Sequence, residues 1–199
     1  QPDAQTVIGA LLSRPWRIVH ISGHGEAPTG VEINGVLPPG THGGGVVLSG
    51  KHHLGPAEIA AMRVVPEMVF VNCCSLSQFE SGQALREGFD PSEFAAVVAD
   101  ALIAKGVRCV IACGWPVNDG PAADFARTFY GRLLDGARFI DAIGAAREAC
   151  WKAMPEGKSW AAYQCYGDPN WVYRNRTGDA QAPTPTRDEF EELASAPAL

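Results

Sequence analysis

Short apolar runs, each closed by turn-forming residues and set apart by stretches of helical periodicity, decide what this chain can fold into. Arg17 to Ser22, Met68 to Asn72, Val107 to Cys113 and the late segment AAYQCYGDP have this character. Runs so short and so uniformly apolar read as buried strands, the last ending in the turn Gly167-Asp168-Pro169. The intervening segments repeat apolar residues at helical spacing. Val7, Ile8, Leu11 and Leu12 place a helix over Asp3 to Leu12, stopped by Pro15, and Pro56 opens a short helix through Met62. Asp90, Pro91 and Glu93 form a helix start ahead of Phe94, Val97, Val98, Ala101 and Leu102, with Gly106 as its end. Phe125, Phe129, Leu133 and Leu134 mark another helix closed by Gly136, and a further one runs from Phe139 to Met154. This alternation predicts an α/β fold, a mostly parallel sheet with helices on both faces.

Two of the runs end in reactive side chains. RIVHISGHG closes on His24 and MVFVNCC on Cys74, fifty positions later. Both residues are therefore expected at the C-terminal edge of a parallel sheet, where open α/β sheets place their chemistry. A cysteine nucleophile needs a base to form its thiolate and donors to hold an oxyanion, and adjacent strands can bring distant residues together for this.

Composition narrows the setting. With 199 residues and 46% apolar content, the chain is long enough for one well-buried domain. A net charge of −6, a pI near 5.3 and the lack of any basic cluster argue against nucleic acid as a direct partner. The six cysteines have neither the spacing of a secreted disulfide framework nor the paired CxxC of a zinc site, which suits reduced thiols. No stretch approaches the ~18 apolar residues of a membrane span and no leader pattern opens the sequence, so a soluble, cytoplasmic protein with no membrane partner is expected. GHGEAPTG has neither GxGxxG spacing nor a GK[ST], and His42, His52 and His53 lack a Cys or carboxylate at ligand spacing. No cofactor and no metal are expected, and these three histidines read as a solvated loop. The sequence starts at Gln1 within a helical segment, as a fragment or a processed chain would.

The stretches HISGHG, VVLSGKHHLGPAEIAAM, VFVNCCSLS, GVRCVIACGWPVND, FYGRLLDG and SWAAYQCYGDP, in this order, resemble the CHAT domain, a bacterial relative of caspases and separase. The resemblance covers about Trp16 to Asp168 and implies a three-layer α-β-α caspase-like fold. It implies that His24, followed by Gly25, is the general base and Cys74 the nucleophile. The backbone N–H groups of Gly25 and Cys74 would form the oxyanion hole. The spacing also agrees with the caspase histidine some fifty residues before its cysteine, while the pentapeptide Asn72-Cys73-Cys74-Ser75-Leu76 differs from the caspase pattern. Ser75-Leu76 replaces the Glu-Thr common in the family. The opening strands of a six-stranded caspase-like sheet are missing, which implies an upstream segment that completes the fold.

GWPVND resembles the loop that lines the specificity pocket in caspases and separase, making Trp115, Asn118 and Asp119 candidates for substrate contact. An acid at the pocket floor would favour a basic P1 side chain. Asp119 also precedes Gly120-Pro121, where an acid serves equally as a helix-terminal device. The resemblance implies a cysteine endopeptidase acting on a protein substrate. It also implies activation by a partner or signal, a helical-repeat or sensor module in the same or a partner chain, and a place in bacterial immunity. The alternative is a catalytically inactive CHAT-like scaffold that binds protein partners through the same groove. A small-molecule hydrolase or transferase using Cys74 would fit the sheet but leaves HISGHG and GWPVND unexplained.

Other chemistry-bearing residues have plainer readings. Cys73 alternates away from Cys74 and is expected in the core, as are Cys109, Cys113, Cys150 and Cys165. His20 falls inside a strand, where core packing is expected. Gly25 to Gly50 looks like a hairpin-bearing insertion with β-like pieces at Val31 to Ile33 and Val46 to Leu48. Ser75 to Gly88 is long enough to be a functional loop, with Arg86 a conceivable self-cleavage site. The domain is expected over residues 1–177, and residues 178–199 as a Pro-rich linker and the start of a helical segment.

Overall fold

In the computed structural model, residues 3–26, 44–74 and 91–174 are described. The Asp3 carboxylate accepts the Thr6 N–H at 2.8 Å and so caps helix α1 (Ala4–Ser13). The chain then turns extended at Arg14, ahead of Pro15, and enters strand β1 (Ile18–Glu26). β1 outruns the sequence expectation by reaching through His24 and Gly25. The reason is a partner that periodicity alone does not reveal: β2 (Gly45–Val47) adds antiparallel at Gly25↔Val46 and Glu26↔Gly45. β2 in turn pairs with the two-residue β3 (His53–Leu54), and a 3-10 turn over Ser49–Lys51 joins the pair.

Helix α2 (Pro56–Ala60) starts at Pro56 as expected and gives way to β4 (Met68–Cys74). Then follow α3 (Pro91–Lys105), β5 (Cys109–Cys113), α4 (Asp119–Leu134), α5 (Phe139–Ala153), the short α6 (Ser159–Ala162) and β6 (Tyr163–Gly167). The expected last strand is thus split, its first residues belonging to α6. The strands form one six-stranded sheet in the order β3-β2-β1-β4-β5-β6. β1, β4 and β5 are parallel neighbours in its centre, while β2 and β6 run opposite to them. The pieces expected at Val31 to Ile33, the loop Ser75 to Gly88 with Arg86, and the segment 178–199 lie outside the described residues.

Strand alternation sorts the core into two clusters. Val69, Val71 and Cys73 of β4 join Leu11 of α1, Ile59 of α2 and Val98 and Leu102 of α3. Met68 and Phe70 face the other way, toward Phe125, Phe129 and Leu133 of α4 and Ile143 and Ala146 of α5. Phe70 is the centre of that second cluster, with Tyr163, Phe125 and Phe129 edge-on at 5.5, 6.0 and 6.1 Å. Burying each such ring contributes on the order of 2 kcal/mol from water exclusion alone. Central strands buried on both faces explain why their sequence is a continuous apolar run rather than an alternation.

At the edge of the sheet opposite His24 and Cys74, Arg17 binds Glu67 at 2.7 Å and donates to the Arg174 carbonyl at 2.8 Å. Its guanidinium also lies 4.2 Å from the centre of the Tyr173 ring. These contacts join the starts of β1 and β4 to the last described segment.

Gly167 ends β6 at φ +106, and a Cβ there would run into the Arg108 carbonyl oxygen. Both the left-handed backbone and the close approach require glycine. Gly167→Ala is expected to destabilise the domain by about 2 kcal/mol or more, read as a lowered urea midpoint at unchanged m-value.

Candidate active site

β1 and β4 pair in parallel along seven successive rungs, from Ile18↔Met68 to His24↔Cys74. The last rung brings together the two residues singled out in the sequence, with Cα atoms about 4.8 Å apart at ordinary strand spacing. Both strands stop within two residues of it, so the pair stands at the C-terminal edge of the parallel strands.

His24 is half-buried, and its Nδ1 is shielded from solvent with no hydrogen-bond partner among the described residues. A buried imidazole nitrogen left unsatisfied is costly and calls for an explanation, of which a reserved chemical role is one. Gly25, the next residue, is buried and held by its pairing with Val46. Glu26 closes the strand and lies 2.8 Å from His53 Nε2. His53 therefore has a definite structural partner, contrary to the solvated loop expected for it. A carboxylate-imidazole contact across β1 and β3 anchors the hairpin to the end of the His24 strand.

His20 also departs from expectation. Rather than lying in the core, it is open to solvent at one edge, while one ring face stacks on Phe70 at a centroid distance of 4.4 Å and 5° between planes. Its Nδ1 is 2.9 Å from the Tyr130 hydroxyl. The crowded side of the ring disfavours the imidazolium and lowers its pKa. β1 pairs with the outer part of the sheet only at its C-terminal end, which leaves His20 less covered than a central-strand residue.

The residues of GWPVND form a wall rather than a free loop. Gly114 N–H donates to the Ala162 carbonyl at 2.8 Å, and Trp115 Nε1 to the Lys158 carbonyl at 3.3 Å. Asn118 N–H donates to Ser159 Oγ at 3.4 Å, and Asn118 Nδ2 contacts Met154 Sδ at 3.3 Å. The β5–α4 connection and the segment leading into α6 are thus fastened together beside the strand ends. Trp115 is half-buried, whereas Asn118 and Asp119 are exposed where α4 begins. Asn118 occupies the cap position without a side-chain capping bond, and Asp119 is the acid of the first turn.

Sequence reasoning did not single out Asn72, Ser22 or Tyr163, which sit one level below the His24–Cys74 rung. Asn72 lies 3.5 Å from Ser22 Oγ through Nδ2 and accepts from the Tyr163 hydroxyl at 3.3 Å. The available signal was Asn72 itself, a polar residue inside an apolar strand.

Cys73, Cys109, Cys113 and Cys150 are buried as expected, while Cys165 is half-buried. Burial pushes the Cys109 thiol up to about 12 and the Cys165 thiol up to about 11. Among the described residues no group of His, Cys, Asp and Glu could hold a metal ion, and no helix is long and apolar enough to cross a membrane.

The sequence model of the CHAT domain matches residues 3–168. Among curated proteins, tetratricopeptide repeat protein 28 of Mus musculus is 26% identical over 113 residues, which is 56% of this chain. The chain spans 4% of the length of that relative.

Thiolate is the reactive form of cysteine, so at pH 8 thiols with the values of Cys109 and Cys165 are ionised to only about one part in ten thousand and one in a thousand. Iodoacetamide at that pH should leave both unlabelled in the native protein and label them after unfolding, as read by peptide mapping.

Proposed function

Because the chain belongs to the CHAT domain family, we propose that it is a cysteine endopeptidase in which His24 activates Cys74. The observation that carries this reading is the terminal rung of the β1–β4 ladder, which pairs a histidine with a cysteine at the ends of adjacent parallel strands. Strand alternation assigns position 74 to the face that carries Phe70 and Asn72, the face also occupied by position 24. Helices on both sides of the sheet agree with a caspase-like three-layer arrangement.

In this reading His24 takes the thiol proton of Cys74, and the thiolate attacks the scissile carbonyl carbon. In this reading the negative charge that develops on the carbonyl oxygen is met by the backbone N–H groups of Gly25 and Cys74. Collapse of the tetrahedral intermediate breaks the C–N bond, and His24 returns the proton to the departing amine. Water, deprotonated by His24, then releases the acyl group and restores the thiol. The Nδ1 of His24, without a partner among the described residues, fits an imidazole held for proton transfer rather than for packing. The fastened wall of Trp115, Asn118 and Asp119 supplies the substrate-binding side, and the exposed Asp119 carboxylate would select a basic P1 residue.

The protein would act within a larger assembly. The match to a protein named for tetratricopeptide repeats supports a helical-repeat or sensor module as partner, in the same chain or another. A signal sensed there would gate cleavage of a protein substrate, as in bacterial defence.

A fluorogenic peptide library tests the reading. Cys74→Ala and His24→Ala should each lower kcat/KM by roughly a thousandfold or more, and Asp119→Asn should abolish any preference for basic P1 residues. Cleavage that persists in both single variants would overturn the His24–Cys74 assignment, and a wild-type chain that cleaves no peptide would leave a binding scaffold as the function.

A further inference from the structure

The face of β4 that looks toward α4 and α5 is apolar at Met68 and Phe70, and then carries one amide, Asn72. Asn72 is half-buried and Ser22 exposed, and the bonds this lone amide makes are informative. The Asn72 Oδ1 accepts from the hydroxyl of Tyr163 at 3.3 Å, while Nδ2 faces Ser22 Oγ at 3.5 Å. Ser22 is the register partner of Asn72, one level below the His24↔Cys74 rung on the same face. Tyr163 is fully buried at the start of β6, and its carbonyl accepts from Arg147 Nη2 of α5 at 2.7 Å. One polar rung thus links β1, β4, β6 and α5 directly beneath the two strand ends.

We propose that Asn72 is a positioning residue for the His24–Cys74 pair, holding the last turns of β1 and β4 at one height through Ser22 and Tyr163. This rests on the protease reading above. Among the described residues the β1–β4 register ends at that rung, which leaves the end of this ladder less resistant to sliding than its middle. A side-chain bridge one level below supplies that resistance. The Tyr163 hydroxyl sets the amide's orientation, and the amide sets the approach of Ser22 and so of the β1 end. Misplacement of a reacting pair by about 1 Å can cost about a hundredfold in rate, which sets the scale of the effect.

The test uses the full chain with Tyr163→Phe, which removes only the hydroxyl, together with Asn72→Ala and Ser22→Ala. Peptide cleavage gives kcat and KM, and thermal unfolding reports integrity. The rate of Cys74 alkylation by iodoacetamide against pH, read by peptide mapping, reports the thiolate without substrate. In the wild type, alkylation of Cys74 should persist well below the ordinary thiol range, as a histidine-paired thiolate requires. In Tyr163→Phe and Asn72→Ala that profile should move toward ordinary thiol behaviour, with kcat down tenfold to a hundredfold and KM little changed. If one of these variants does not fold, the other carries the test. Folded variants that keep the wild-type profile and kcat overturn the positioning role and leave the protease reading standing. A raised KM with unchanged kcat also overturns it, since Asn72 would then contact substrate. An ordinary thiol profile in the wild type, with no cleavage, overturns both.

Discussion

The seven-rung parallel ladder between β1 and β4 is the interaction on which the rest depends. It places the domain's centre, because β4 lies between β1 and β5 and presents one side chain in two to each core cluster. It also determines the site, because its last rung pairs position 24 with position 74. Packing from both faces holds the ladder in register. A slip by one residue would turn Val69 and Val71 toward the aromatic cluster and Phe70 toward the aliphatic one, so the cores veto the slip. Which residues meet at the sheet edge is therefore specified by contacts well below it.

Much of this was legible in the sequence because it depends on local patterns. Buried strands such as MVFVNCC and CVIAC announce themselves as apolar runs, and Asp3, Pro56 and Pro91 mark helix starts by their capping or first-turn chemistry. The apolar runs already pointed to His24 and Cys74 at their ends, and the family resemblance, which the matched residues 3–168 bear out, added what no periodicity contains, namely the roles to expect of them. What escaped was non-local. β1 extends to Glu26 because a short strand far along the chain supplies its backbone partners. His53 looked like a solvated loop residue because its partner, Glu26, lies in a different strand. His20 has the neighbours of a core strand residue in sequence, yet the sheet covers β1 less completely than β4.

The wall beside the strand ends shows the same division. The motif GWPVND is readable, but its fastening to the segment 154–162 by backbone and side-chain bonds is a tertiary fact. That fastening converts a loop into part of the scaffold, so that Trp115 and Asn118 are held from two sides. It also leaves Trp160 on the outside of the same segment, 40% exposed. Asn72 belongs to the non-local class as well, since its two partners lie fifty residues behind it and ninety-one ahead.

At every rung of the ladder the paired residues differ by the same offset, from Ile18↔Met68 to His24↔Cys74. The fifty-residue interval is thus a contour length and not a code. Chain could be added or removed between the strands without changing which residues meet, provided the ladder closes. Two cysteines sit side by side at the end of β4, and Cys73 faces the aliphatic core. A single residue gained inside β4 or lost from β1 would set Cys73 opposite the histidine in place of Cys74. Identity at this edge is a matter of counting along a strand, and which of the two cysteine positions shares a face with position 24 is decided by parity.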